Sequence, residues 1–215
     1  SFKFEHQADL AQVGYQIPGV LEKWPNALSK FKAKGSVLKN GGVTVDNWSY
    51  ELGGNHISGA AQIPDLDNPE FTISLAAENF QAYPSRQFFR FFDAEMDGSA
   101  DFEIIGSGNL NDLSSAKFEG EMKLKELKIR PKNFLSFLTV DANLKFKENR
   151  LDIRSGNMKS DQSGLSFSGV YQRGDSPSLD LNLVGKRLDV DEIFLEPEGE
   201  KTSLIDQLSQ YKFFN

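Results

Sequence analysis

The sequence predicts an all-β fold with a few short helices, in which a strongly curved antiparallel sheet of repeated strand units forms a groove or half-barrel. Three observations lead to this prediction. Apolar and polar residues alternate over short runs between 144 and 183, a period typical of strands with one dry and one wet face. Turn-forming residues such as Gly174-Asp175-Ser176-Pro177 separate these runs. The same pattern also occurs earlier in the chain, about 108 residues upstream.

Further strands are predicted in chain order wherever this alternation returns. Phe2 and Phe4 begin the first one. Asn40-Gly41-Gly42 predicts a hairpin between strands at 31–37 and 43–45. Other strands are predicted at 53–59, 71–75, 102–104, 118–124 and 127–129. The step from Leu124 to Leu127 changes the parity of the alternation, so we expect a β-bulge near Glu126.

Short helices are predicted where apolar residues take a helical spacing. The first covers 20–28, with Val20, Leu21, Trp24 and Leu28, despite Pro25. The second begins at a Ser85 cap and presents Phe88, Phe89, Phe92 and Met96. A brief helical turn is expected at 134–138, each repeat is expected to end in a short helical segment, and an amphipathic helix is expected at 203–211.

An internal repeat sets the predicted organisation of the chain. Residues 40–45 match 148–153, residues 56–59 match 166–169, and residues 70–82 match 178–190. Such repetition is typical of an extended, stackable architecture. We therefore expect residues 1–215 to be one fragment of a longer repeat-built β-groove, with a partial unit at 1–25, units at 26–97 and 98–196, and the start of another at 197–215.

Composition narrows the possible functions. The net charge of −7 and the pI near 5.0 argue against nucleic acid as a partner, because phosphate binding needs a positive surface. Cysteine is absent, which excludes thiol catalysis and disulfides. No apolar run is long enough for a transmembrane helix. His6 and His56 have no partner in a catalytic or metal-binding pattern. We expect no enzyme activity, no cofactor and no metal.

The acidic clusters at 65–68 and 189–192 lack the spacing of a calcium-binding loop. The apolar alternation is then the main candidate for a functional surface. Its predicted lining residues are Val43, Val45, Ile57, Phe71, Ile73, Leu75, Leu144, Phe146, Leu151, Ile153, Leu165, Phe167, Leu179, Leu181 and Leu183.

Three interpretations of these residues stay open. They line a groove that binds acyl chains, or they fill the core of a sandwich that serves as a structural spacer or a protein-interaction domain. The third is a carbohydrate-binding or hydrolytic domain. A sugar-binding site needs exposed aromatic residues near paired carboxylates, and Trp48, Tyr50 and Asp46 are the residues that come near this requirement.

The stretch from Gly164 to Phe194 resembles the AsmA-like proteins of Gram-negative envelopes. It has a Gly-containing strand at 164–169, an LxLxL strand at 179–183 and a Leu-Asp step at Leu188-Asp189. The first copy departs from this pattern, because Asn79-Phe80 replaces the Leu-Asp step.

The resemblance implies a periplasmic β-groove, tethered to the inner membrane through parts of the chain not present here. It implies non-enzymatic guidance of phospholipid or other acyl-chain lipid toward the outer membrane. Neighbouring repeats of the same longer chain would be further partners.

Overall fold

A computed structural model of the chain describes residues 1–17, 21–85, 94–131, 136–160, 163–173 and 176–187. Its strands are β1 (Phe2–Asp9), β2 (Tyr15–Ile17), β3 (Leu21–Lys23), β4 (Ser29–Val37), β5 (Val43–Leu52), β6 (Asn55–Ile63), β7 (Glu70–Gln81), β8 (Ala94–Asn109), β9 (Asp112–Pro131), β10 (Leu138–Lys147), β11 (Arg150–Lys159), β12 (Gly164–Gln172) and β13 (Ser178–Arg187). One turn of helix, α1 (Ala82–Ser85), follows β7.

Eleven strands form one antiparallel sheet in the order β1-β4-β5-β6-β7-β8-β9-β10-β11-β12-β13, and β2 pairs with β3 in a separate hairpin. From β4 onward, consecutive strands are neighbours, as in a meander. Within the described ranges β1 and β13 each have a strand on one side only, so the sheet is open. The prediction of an all-β antiparallel protein is confirmed.

The register keeps apolar residues opposite apolar residues from one strand to the next. Leu144 of β10 lies opposite Ile153 of β11 and Met122 of β9, and Met122 lies opposite Phe102 of β8. Directly opposed residues in an antiparallel pair point to the same side of the sheet. The sheet therefore has one apolar face, defined by these four residues and those sharing their side, and one polar face.

Bulges occur in alternate strands, namely β5, β7, β9, β11 and β13. The bulge predicted near Glu126 is confirmed, because Val140 and Ala142 of β10 oppose Leu127 and Leu124 of β9. Glu126 has a φ of 47°, in the left-handed region. Its N–H donates to Oδ1 of Asp141 at 2.9 Å, which satisfies a donor that the ladder leaves free.

The bulges recur at the spacing of the sequence repeat. The register shifts around Asp46 in β5 and around Arg154 in β11 are 108 residues apart. Those around Glu78 in β7 and Lys186 in β13 are again 108 residues apart. Thus β4–β7 and β10–β13 are equivalent four-strand meanders, while the division of the chain into units stays a prediction.

The helix predicted over 20–28 is wrong for the residues that are described. Leu21–Lys23 is a strand, paired with Tyr15–Ile17. The Lys23 side chain is 1% exposed, and its Nζ donates to the carbonyl oxygens of Leu10, Ala11, Val13 and Trp24 at 2.8–3.2 Å. This tertiary contact, which the apolar spacing does not reveal, favours an extended conformation over a helix interrupted by Pro25.

Of the other predicted helices, some residues lie in strands and most of the others lie outside the described residues. Ser85 is in α1 and is the last described residue before the predicted helix, so its predicted role as a cap is untested. Met96, predicted in that helix, lies in β8 opposite Ile129. Leu138 begins β10 instead of a helical turn, because it extends the β9–β10 ladder. Phe88, Phe89, Phe92, Phe134, Leu135 and the segments after 187 lie outside the described residues. No helix in the described ranges has the length and apolarity to span a bilayer.

The contribution of Asp101 to folding stability is predicted to depend on pH. Its carboxylate pairs with Lys125 and accepts the N–H of the bulge residue Asn79 at 2.9 Å. First the Lys125 side chain and then this N–H lower the pKa of Asp101. A lowered folded-state pKa stabilises the fold above the unfolded value of about 3.9, and this contribution is lost as pH falls through the folded pKa.

We expect Asp101→Asn to lower the free energy of unfolding at neutral pH, and this effect to disappear as pH falls through the lowered folded-state pKa and the native carboxyl becomes protonated. Urea denaturation at neutral pH and at an acidic pH below that folded-state pKa measures the difference. Asp180→Asn, at an exposed position in β13, is the matched control. A loss for Asp101→Asn of equal size at both pH values would contradict the assignment.

Candidate functional site: an open apolar face

The apolar face contains all fifteen predicted lining residues. Val43 and Val45 lie opposite Ile63 and Ala61 of β6, and Ala61 lies opposite Ile73 of β7. The pairing continues through every strand as far as β13, where Leu181 lies opposite Gly169 of β12. The prediction that both repeat copies present their apolar residues on one side is confirmed. Their role as a lipid lining stays a prediction.

Sequence reasoning missed further members of this face, although it placed several of them in strands. They are Phe4, Phe31, Trp48, Phe102, Ile104, Phe118, Met122 and Leu124. The same period-two alternation could have found those in β8 and β9. The alternation does not specify the order of the strands. The observed order shows that the central hairpin β8–β9 joins the two meanders into one surface.

The apolar face is wide and free of carboxylates and ammonium groups along its paired rows. Ten spacings of about 4.8 Å between eleven strands make it about 48 Å across. The width of the face therefore exceeds the thickness of the hydrocarbon region of one bilayer leaflet, which is roughly 15 Å. The titratable side chains on it are His6 in the edge strand β1, opposite Ala33, and tyrosines such as Tyr50 and Tyr171.

Phenylalanine rings on this face lie over glycines of the adjacent strand. A Cβ added to Gly156 would overlap the ring of Phe167, and one added to Gly106 would lie 2.7 Å from Phe118. Phe4 covers Gly35 in the same way. Each ring fills the space that the neighbouring glycine leaves open, so the surface of the apolar face stays level. The ring also shields the backbone at that glycine from solvent.

Most of the apolar face is not covered by other parts of the described structure. Leu179, Leu181 and Leu183 are 55%, 39% and 54% exposed, and Phe118 is 46% exposed. The other predicted lining residues are half-buried. Fully buried apolar residues in the described ranges are few, namely Ala33, Leu52, Ala77, Leu127, Leu138 and Ala142. As far as the described residues show, this face differs from the interior of a sandwich, where both sheets bury their inner side chains.

The hairpin β2–β3 covers one end of the face. Tyr15 packs against Leu52, as does Tyr50 of β5, and the Tyr15 and Tyr50 hydroxyls are hydrogen-bonded to each other. Burial, and then this hydrogen bond, raise the pKa of Tyr50. Lys23 also links the hairpin to the preceding loop, through its hydrogen bonds to the carbonyl oxygens of Leu10 and Ala11.

The polar face carries a network of ion pairs across β8–β11. Glu121 of β9 accepts from Arg154 at 2.9 Å and lies 3.7 Å from Lys145. Lys147 and Glu119 are 3.6 Å apart. These pairs are solvent-exposed, so each contributes little to stability. Their effect is to keep this side wetted and to distinguish it from the apolar side.

Two cavities lie over the middle of the sheet, with volumes of about 440 and 990 Å³, and most of their lining residues belong to the polar face. Glu103 and Glu121 line both. These cavities therefore do not correspond to the groove that is expected on the apolar side. A twisted sheet is saddle-shaped, so each face is concave along a different diagonal.

The other candidate sites remain dispersed. His56 is exposed on the polar face, far from His6 in strand order. Within the described residues, no three His, Asp or Glu side chains are placed to hold a metal ion. Asp65 accepts the Asp67 N–H at 2.9 Å, as in a turn. Trp48 and Tyr50 lie in the apolar face, whereas Asp46 is an exposed bulge residue.

The Phe–Gly contacts yield a stability prediction. Gly156→Ala should cost about 1–3 kcal/mol, because its Cβ has no room beneath the Phe167 ring. In a Phe167→Ala background the cost should fall by about 0.5–3 kcal/mol, since the two residues are in contact. Urea denaturation of the four proteins in this double-mutant cycle measures the coupling.

Gly164 is the matched control, because nothing lies within 4 Å of a Cβ added there. Gly164→Ala should therefore be tolerated with no dependence on Phe167. If the Gly156 and Phe167 substitutions were simply additive, the ring would not rest on the glycine as described.

Comparisons with known proteins assign no relative to this chain. No protein-family model matches it. No curated protein and no solved structure matches it either. The geometry of the two faces is therefore the basis on which a function is proposed.

Proposed function

We propose that the apolar face binds and guides the acyl chains of phospholipid or another acyl-chain lipid, without catalysis. The observation that carries this proposal is the continuity of the face, which runs through all eleven strands while its leucines at β13 remain about half exposed. Soluble proteins rarely leave so large an apolar surface uncovered unless it binds something. Each methylene transferred from water to such a surface contributes about 0.8 kcal/mol.

The absence of charged side chains from the paired rows of the apolar face supports acyl chains over other ligands. A fatty chain makes no hydrogen bonds, so an ionised group in its path would have to be desolvated without compensation. The lipid head group is hydrophilic and would stay at the rim, where the strand ends meet solvent. The chain can then shift from row to row without meeting a polar barrier.

The proposal includes a curl of the sheet around its apolar side into a groove or half-barrel. Support comes from the bulges in alternate strands, because a bulge bends its strand and increases the local twist. The recurrence of two of these bulges after 108 residues favours bending that repeats from one unit to the next.

The cellular setting of the proposal rests on the resemblance to AsmA-like proteins. On that basis we propose that the chain lies in the periplasm of a Gram-negative envelope, within a longer protein tethered to the inner membrane. There it would contribute to lipid transport from the inner to the outer membrane. Neighbouring repeats would extend the same apolar face.

The competing function, a spacer with a filled apolar core, makes the opposite mutational prediction. In a filled core, a carboxylate at Leu183 would be buried without a partner and would unfold the domain. On an open face, where Leu183 is 54% exposed, the carboxylate can reach water. Leu183→Glu should then leave the thermal unfolding midpoint within a few degrees of the wild type.

Photo-crosslinking tests the proposal directly. A photo-reactive residue replaces Phe167, which lies opposite Leu183, and the protein is irradiated with vesicles of phosphatidylethanolamine and phosphatidylglycerol. We expect lipid adducts on the wild-type background and their loss in Leu183→Glu. The control Asn182→Glu, one residue away on the polar face, should retain them. Absence of adducts on the wild-type background, or unfolding of Leu183→Glu, would favour the spacer.

A further inference from the structure

The indole N–H of Trp48 lies on the apolar face without a hydrogen-bond partner. Trp48 is in the middle of β5, opposite Ala33 of β4 and Gly59 of β6. Its Nε1 atom is buried, and within the described residues no acceptor pairs with it. Buried polar groups are nearly always hydrogen-bonded, and a donor left unpaired loses its hydration without compensation. The fold alone therefore leaves this group unexplained.

The position of Trp48 makes its ring accessible to a ligand. A second buried atom without a hydrogen bond in the described ranges, Oγ of Ser29, lies opposite Leu52 at the end that the hairpin β2–β3 covers. Trp48 lies away from that end and is only half-buried. Its neighbours Ala33 and Gly59 carry the smallest side chains, so the ring has room to turn its N–H toward a ligand on the face.

Packing does not require an indole at this position. The residue 108 positions after Trp48 is Gly156, and it lies opposite Phe167 of β12. Both meanders thus place one aromatic ring opposite one glycine at the equivalent point of the apolar face, Trp48 with Gly59 and Phe167 with Gly156. Phenylalanine fills its position without any polar atom. The nitrogen of Trp48 is what distinguishes the first meander.

We propose that the N–H of Trp48 donates to an ester carbonyl oxygen of the bound phospholipid and so fixes one end of an acyl chain on β5. This inference rests on the proposed function. A phospholipid carries such an acceptor at the start of each acyl chain, beside methylenes suited to the apolar face. The carboxylate of a free fatty acid is a poorer candidate, because the described rows around Trp48 hold no ammonium group to compensate its charge.

Two lipids that differ only in their linkage test this hydrogen bond. Short-chain diester phosphatidylglycerol and its diether analogue share head group and chains, but the diether lacks the carbonyl oxygens. Isothermal titration calorimetry below the critical micelle concentration gives the Kd of each. We expect the wild type to bind the diester about three- to tenfold more tightly, because one hydrogen bond from an otherwise unpaired donor contributes on this order.

Two variants locate the effect. Trp48→Phe keeps an aromatic ring opposite Gly59 and should bind both lipids with equal affinity. Trp24→Phe is the matched control, because Trp24 is 58% exposed beside the hairpin, and it should keep the preference for the diester. Circular dichroism checks that both variants retain the β-sheet.

Equal affinity of the wild type for the two lipids would overturn the inference, and this comparison needs no variant. A preference for the diester that persists in Trp48→Phe would overturn it as well. In both cases the two lipids still bind, so acyl-chain binding stands. If neither lipid binds to the wild type, the proposed function fails, and the inference fails with it.

Discussion

The rest of the structure depends on the conservation of side-chain parity across the sheet. In a strand, a shift of one residue moves every side chain to the opposite face. This chain contains extra residues in alternate strands, yet the apolar residues on both sides of each bulge stay on one face. Leu124 and Leu127 show how this is achieved, because Glu126 takes a positive φ and Asp141 accepts its N–H. The bulge absorbs the odd residue, and the face continues.

Side-chain parity also keeps the charged side chains and the apolar side chains on opposite faces of the sheet. Exposed ion pairs such as Arg154–Glu121 occupy one side of the same strands whose other side carries Ile153 and Leu144. Because each pair is solvated, it adds little stability, but it keeps lysine and glutamate side chains off the apolar side. The Phe–Gly contacts then even out that side. Within the described residues, the result is a sheet with one wet face and one apolar face.

Much of this arrangement could be predicted from local pattern. The period-two runs, the turn at Asn40-Gly41-Gly42 and the parity change near Glu126 are local signals, and the strands, hairpin and bulge follow them. The strand at Leu21–Lys23 did not follow its local signal, because the carbonyl contacts of Lys23 are tertiary. Strand order, the exposure of the face and the seating of Phe167 over Gly156 also depend on residues distant in sequence, which alternation alone does not specify.

Native mass spectrometry of the chain, purified from a cell envelope in mild conditions, tests the central claim most directly. An open apolar face that holds acyl chains predicts adducts with the masses of phospholipids, which fatty-chain competitors displace. It also predicts fewer adducts when a carboxylate is placed in the middle of the face, as in Leu144→Glu, with the β-sheet circular dichroism retained. A folded wild-type chain that carries no lipid, and acquires none from phospholipid vesicles, would contradict the account.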